Sequence, residues 1–292
     1  MEKQALIKSD GITVVDSGQV IITICNQRRL TAMIGDGSAN EIDTFTVEKL
    51  GPFTLCLQVA EDDFNNGKKT LFATMIWHGS RALAKHLISH FSDCVQGKSV
   101  IEFGAGAGLP SLICHKLGAA LVTSSDYPAH SVTRNLISNA ARNILCDHTL
   151  GLQTSYLSSD DEDDRAVQDN LQLSEKKFYV IEHIWGETAS PLLDPLYGVS
   201  DKYDIVIASE CLWKSDTHED FAHSINNVLK PGGVCLMSFS HHIPGLESKD
   251  LAFFKIMVRN NFSVISVHEV AVPHMWSDKG AVVYIYELLK GV

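Results

Sequence analysis

Between Ser99 and Asp126 the chain carries the pattern that most restricts how it can fold. SVIEF is a short apolar run of strand length. GAGAG follows at once, SLICHKLG is helical in spacing and stopped by Gly118, and ALVTSSD is a second apolar run that ends on an acid. Strand, turn, helix and strand in that order imply parallel strands joined by a right-handed crossover. Gly104, Gly106 and Gly108 sit at the strand-to-helix turn, where missing side chains let a ligand approach the backbone. Asp126 ends the next strand, where a carboxylate can accept hydrogen bonds from both hydroxyls of a ribose. A glycine-rich turn alone is weak evidence. With the acid at the second strand's end, it points to a nucleoside-bearing cofactor.

The alternation continues along the chain. HSVTRNLISNAARNIL reads as a helix, FYVIEHIW and YDIVIAS as strands, HEDFAHSINNVLK as an amphipathic helix, and GVCLMSFS as a strand after the turn Pro231-Gly232-Gly233. KDLAFFKIMVRNN is a last helix, and FSVISVHEV and AVVYIYELL are closing strands. Upstream, FTVEKL and FTLCLQVAED read as a hairpin around Gly51 and Pro52, and TMIWHGSRALAKHLISHF as a helix. In the first forty residues only VVDSGQVIITI suggests a strand. Residues 148–177 interrupt the pattern. Their acidic, polar centre at 158–172 has too little apolar surface to offset chain ordering and is expected to be a dispensable surface insertion. The expected division is a β-rich N-terminal extension over 1–69 and an α/β domain over 70–292.

Two cofactor classes compete for the turn. A dinucleotide turn wants G-x-G-x-x-G, but the third glycine here is Gly108, one position early, and Leu109 stands at the required place. The string is G-x-G-x-G with Glu102 two residues before the first glycine. That form resembles the first motif of class I S-adenosylmethionine-dependent methyltransferases. Trp77 in MIWHGSRALAKHL, Trp185-Gly186 in EHIWGE and the tetrad Glu210-Cys211-Leu212-Trp213 follow in order. Together with GAGAGLPS, DYP and FSHHIPGLESKDLAFFK, they resemble the methyltransferase-like lysine methyltransferase family. The likeness is to its fungal branch, often labelled nicotinamide N-methyltransferase-like, which includes enzymes acting on the N-terminus and nearby lysines of elongation factor 1A. The resemblance covers about residues 70–290. It departs in the tetrad, where the family prefers Asp–x–x–Tyr or Asp–x–x–Phe, and in the acidic insertion.

The resemblance implies an α/β fold: a seven-stranded, mostly parallel sheet with helices on both faces and an antiparallel last strand. It implies S-adenosyl-L-methionine as cofactor. The loop from Gly104 through Ala105 and Gly106 to Gly108 would cup its methionine part, with Asp126 on the ribose, Tyr127 beside it, Trp185 on the adenine, Trp77 near the methionine end and Ser209 at the post-strand site. Glu102 lies inside an apolar strand. An unpaired buried acid is costly there, so a cationic group such as the cofactor's ammonium, or a backbone donor, is expected beside it. Glu210, Trp213 and His241 leave strands at the same sheet edge as the Gly104 loop and are expected around the methyl acceptor, with Glu210 orienting an amine. His241 and His242 lack Cys or Asp partners at ligand spacing, so no metal site is expected there.

Composition narrows the partner. The net charge is −11, which argues against a nucleic-acid footprint and for a basic or neutral protein substrate. No apolar run reaches the roughly 18–20 residues that span a bilayer. Seven cysteines without paired spacing, behind a start with no signal-peptide pattern, fit a reducing compartment, cytoplasmic or nuclear. The expected activity is N-methylation of a lysine or N-terminus in a protein, such as a translation factor. Two other classes stay open: a small-molecule N-methyltransferase, and a non-catalytic subunit that binds the cofactor and a partner.

Overall fold

A computed structural model describes residues 20–21, 46–60, 73–145, 177–194, 201–273 and 280–292. The acidic insertion at 158–172 and most of the first forty residues lie outside these. Strands β1 (Val20–Ile21), β2 (Thr46–Leu50) and β3 (Phe53–Leu57) form a small antiparallel sheet, with the expected hairpin turning at Gly51, φ +56°. Helices α1 (His78–His90) and α2 (Ser92–Val95) follow. The main sheet then opens with β4 (Ser99–Phe103), α3 (Leu109–Lys116), β5 (Leu121–Asp126), α4 (His130–Ala140) and β6 (Lys177–Glu182). It continues with β7 (Tyr203–Ser209), α5 (His218–Val228), β8 (Leu229–Phe239), α6 (Glu247–Arg259), β9 (Phe262–Pro273) and β10 (Gly280–Lys290).

The seven strands lie in the order β6-β5-β4-β7-β8-β10-β9. The first five are parallel, and β10 inserts antiparallel between β8 and β9. This is the mostly parallel sheet with an antiparallel last strand that the resemblance implied. Strand β8 differs from expectation at its start. It pairs with β7 from Leu229, loops out over Pro231–Gly233, where proline has no ladder N–H to give, and resumes pairing at Val234.

Adjacent side chains on a strand point to opposite faces, and both faces are covered. Val100, Val122, Ile207, Leu236 and Ile285 pack under α1, α3 and α4. Ile101, Phe103, Val206, Met237 and Phe239 pack under α5 and α6. The described part of the N-terminal extension shares the first core: Leu50, Leu55 and Leu57 are buried with Leu83 and Leu87 of α1. Arg81 on α1 is ion-paired to Glu48 on β2 at 2.6 Å.

The order reverses at β4, whose neighbours are β5 on one side and β7 on the other. In open α/β sheets this switch point, at the carboxyl ends of the strands, is where ligands bind.

Candidate cofactor and acceptor site

The glycine turn leaves β4 at the switch point. Gly104, Gly106 and Gly108 have φ of +63°, +56° and +75°, backbone that side-chain-bearing residues rarely adopt. Space is a second constraint at Gly104, where a Cβ would stand 2.6 Å from the Cys211 sulfur. Gly106 is open: the nearest atom a Cβ would meet is the Ala73 Cα, 4.0 Å away.

Asp126 closes this turn. Its Oδ2 accepts the Gly106 N–H at 2.7 Å and its Oδ1 accepts the Tyr127 N–H at 2.7 Å. Burial raises its pKa, while these two backbone bonds hold the rise down. The Ala105 N–H donates to the Ser125 carbonyl at 3.1 Å. The two sequence motifs, twenty residues apart, are therefore one hydrogen-bonded unit. Trp185 stands over it, with its ring edge 3.6 Å from where a Gly104 Cβ would lie, and stacks on Phe221 at 4.3 Å between centroids. Tyr127 is exposed at the rim.

Glu102 is fully buried and turns to a helix start. Its Oε2 accepts the Ser111 N–H at 2.9 Å and the Ser111 hydroxyl. Ser111 lies in the first turn of α3, where N–H groups lack helical partners. The other oxygen, Oε1, is buried with no partner among the described residues. Burial pushes this carboxyl up to about 8 against the two bonds from Ser111, and the nearby Asp126 charge adds to the rise. Of the two partners expected for Glu102, the structure gives it a backbone donor.

Glu210 follows β7 with φ +55°. Its Oε1 accepts the Gly79 N–H and the Ser240 hydroxyl, each at 3.0 Å. Its Oε2 accepts the Ser240 N–H at 3.0 Å and bonds His242 Nε2 at 2.9 Å. Four donors fill the roughly four lone-pair positions of a carboxylate. Glu210 thus braces the start of α1 and the loop after β8. His242 also meets the Trp77 ring edge-on at 5.0 Å. Burial lowers the His242 pKa, but the bond to Glu210 and its charge outweigh that and raise it.

The adjacent histidines therefore split. His242 turns to Glu210 and Trp77, whereas His241 bonds Asp250 on α6 through Nδ1 at 2.7 Å and packs on Tyr284 at 5.3 Å. Ser209 is buried at the end of β7, and Trp213 is 43% exposed. The structure thus joins Gly104, Ala105, Gly106, Asp126 and Trp185 in one place, and Trp77 with Glu210 in another through His242.

Sequence reasoning did not single out Gly79, Ser111, Asn139 or Ser240 as site residues, and of the two adjacent histidines it named His241 for the acceptor pocket. A signal existed for Gly79, a glycine inside the first turn of an otherwise good helix: a Cβ there would overlap the Glu210 carboxylate. Asn139, fully buried on α4, donates to the Ala107 carbonyl of the glycine turn at 3.0 Å and to the Gln58 carbonyl at 2.8 Å, coupling the N-terminal hairpin to the turn.

A family model described as Methyltransferase domain matches residues 76–250. Among curated proteins, the chain is similar to the protein N-terminal and lysine N-methyltransferase EFM7 of Yarrowia lipolytica, 32% identical over 188 residues, 64% of each chain. The EFM7 of Kluyveromyces lactis is 34% identical over 189 residues, 65% of each chain. The chain thus spans just under two thirds of the length of these relatives. Among solved structures, a protein described as a SAM-dependent methyltransferase from Streptococcus mutans aligns with a TM-score of 0.52 at 11% identity, covering 88% of this chain and 57% of that one. That likeness is one of fold.

Proposed function

Because the chain belongs to the methyltransferase-domain family, we propose that it methylates nitrogen in a protein substrate, an N-terminal amine or a lysine, using S-adenosyl-L-methionine. The observation that carries this reading is the bond from Gly106 to Asp126, which ties an open, side-chain-free turn to a carboxylate at the sheet's switch point. That arrangement fits a nucleoside cofactor. Asp126 would hold the ribose, Trp185 the adenine, the backbone of Gly104 to Gly108 the methionine end, and Trp77 and Ser209 the flank next to the acceptor. When bound, the cofactor supplies a methyl group activated by a positive sulfur. The protein's task is to present a neutral amine in line with it.

A protonated amine has no lone pair, so its proton must leave first. His242 takes that proton at Nδ1 while its Nε2–H stays bonded to Glu210, which makes Glu210 a positioning residue. Trp213 and His241 form the outer wall of the acceptor channel. The net charge of −11 suits a basic substrate surface.

Calorimetry with S-adenosylhomocysteine, followed by labelling of a cell extract with tritiated cofactor, tests the reading. Binding of S-adenosylhomocysteine and label in a protein band are expected. Binding of NAD in its place, or label confined to small molecules, overturns it.

A further inference from the structure

On the α1 face of the sheet, away from the glycine turn, three side chains converge that the proposed activity does not use. His86 lies in the second half of α1, His268 on β9 and Glu287 on β10. His268 pairs directly with Ile285, so Glu287 is its diagonal neighbour on the same face. Helix α1 packs on β10, which brings His86 over both.

The two imidazoles address one oxygen. His86 Nε2 lies 3.0 Å and His268 Nε2 3.2 Å from Glu287 Oε1. The Glu287 side chain is 12% exposed and that of His86 5%. Among the described residues, the ion pairs of this largely buried carboxylate are with these two rings, and no lysine or arginine reaches it. A buried carboxylate needs a cation. Neutral imidazoles donate hydrogen bonds to it but bring no charge.

We propose that His86, His268 and Glu287 form a binding site for a divalent transition-metal ion of the Zn²⁺ class. Imidazole nitrogen and carboxylate oxygen are the donors such an ion takes, at about 2.0–2.2 Å, so that neighbouring donors in a tetrahedral shell stand about 3.2–3.6 Å apart. Two of the three donor separations already lie at or just below that range, and all three donor atoms are within 4.8 Å of one another. The fourth position falls to His90 or to water. His90 is one helical turn beyond His86, exposed, with its ring stacked on that of His86 at 4.8 Å and 5.9 Å from that of His268. The spacing H-x-x-x-H at 86–90 is the one sequence trace of the site; the remaining ligands come from strands about 180–200 residues downstream. An ion here would clamp α1, whose first turn is held by Glu210, to the edge of the sheet.

The test uses the full chain, stripped with a chelator and titrated with Zn²⁺ by calorimetry, with Co²⁺ absorption as a reporter of coordination. One equivalent of Zn²⁺ is expected, with a rise in thermal midpoint of about 5–10 °C at about a hundredfold excess over the dissociation constant. His268→Gln and Glu287→Gln should each weaken binding at least about tenfold and abolish the tetrahedral Co²⁺ bands. His86 is buried and its substitution endangers folding, so the half-exposed His268 decides, with circular dichroism confirming its fold. No binding by the wild type, or unchanged affinity in His268→Gln with the ion on cysteine thiols, overturns the proposal and leaves the cluster as a hydrogen-bonded strut.

Discussion

Glu210 and Gly79, 131 residues apart, meet as acceptor and donor at 3.0 Å. The bond places a carboxylate at the first turn of α1, where N–H groups lack helical partners and the helix dipole favours negative charge. Removing it strands a buried donor on Gly79 and half-buried donors on Ser240. Glu210→Ala should therefore cost about 2–4 kcal/mol in urea unfolding. A variant as stable as the wild type would show that water replaces the carboxylate without loss.

The same carboxylate holds the His242 pKa above its ordinary value. Methyl transfer should rise with pH as His242 loses its proton. In Glu210→Gln the acid limb of the pH–rate profile should move to lower pH, because removing the negative charge lowers the imidazole pKa. A limb that stays in place would remove His242 from proton transfer.

Asp126 closes the glycine turn and, on the proposed reading, also holds the ribose. Asp126→Ala should weaken S-adenosylhomocysteine binding by roughly 2–4 kcal/mol in calorimetry. Asp126→Asn keeps a carbonyl for Gly106 and should recover part of that loss. Equal losses in the two would mean that the charge, and not the closure of the turn, carries the binding.

Glu102 has a folded pKa of about 8 against an ordinary 4.5. Between those values the unfolded chain ionises this group while the native state keeps its proton. Stability from this group is therefore complete below about pH 4.5 and is lost as pH rises toward 8, at about 1.4 kcal/mol per pH unit. Glu102→Gln accepts the same bonds from Ser111 and does not titrate. Its stability relative to the wild type should climb from pH 5 to 8 and level off above. Parallel curves for the two proteins would mean that Glu102 is already ionised when folded.

Trp213 is 43% exposed, so Trp213→Ala should change stability by less than about 1 kcal/mol. Turnover on a protein substrate should fall strongly, with cofactor affinity nearly unchanged. A loss confined to cofactor affinity would move Trp213 out of the acceptor channel.

The order of strands and helices was legible because it is written locally. Apolar runs of strand length, a glycine stop at Gly118 and the acid at Asp126 need no distant partner to be read. The glycine turn was legible for the same reason, since its glycines, and the acid that closes them, follow one strand and end the next. The partners of Glu102 and Glu210 were less so. Sequence showed that an acid in an apolar strand needs a donor, but Ser111 reaches Glu102 only because α3 folds back on β4. Gly79 reaches Glu210 only because α1 packs across β7 and β8. The histidine pair was misleading in a similar way: successive residues after a strand diverge, and each turned to a different acid.

The two asparagines on and just after α4 have a consequence for the protein's behaviour in a crowded solution. Asn143 bonds both the N–H and the carbonyl of Cys56 at 2.8 Å, and Asn139 bonds those of Gln58 at 2.9 and 2.8 Å. The side of β3 that faces away from β2 thus finds its missing neighbour in two side-chain amides. A short hairpin with an open ladder would invite a strand from another molecule and seed aggregation. At Cys56 and Gln58, where asparagine takes both backbone groups, the end of this edge has no free ladder to offer.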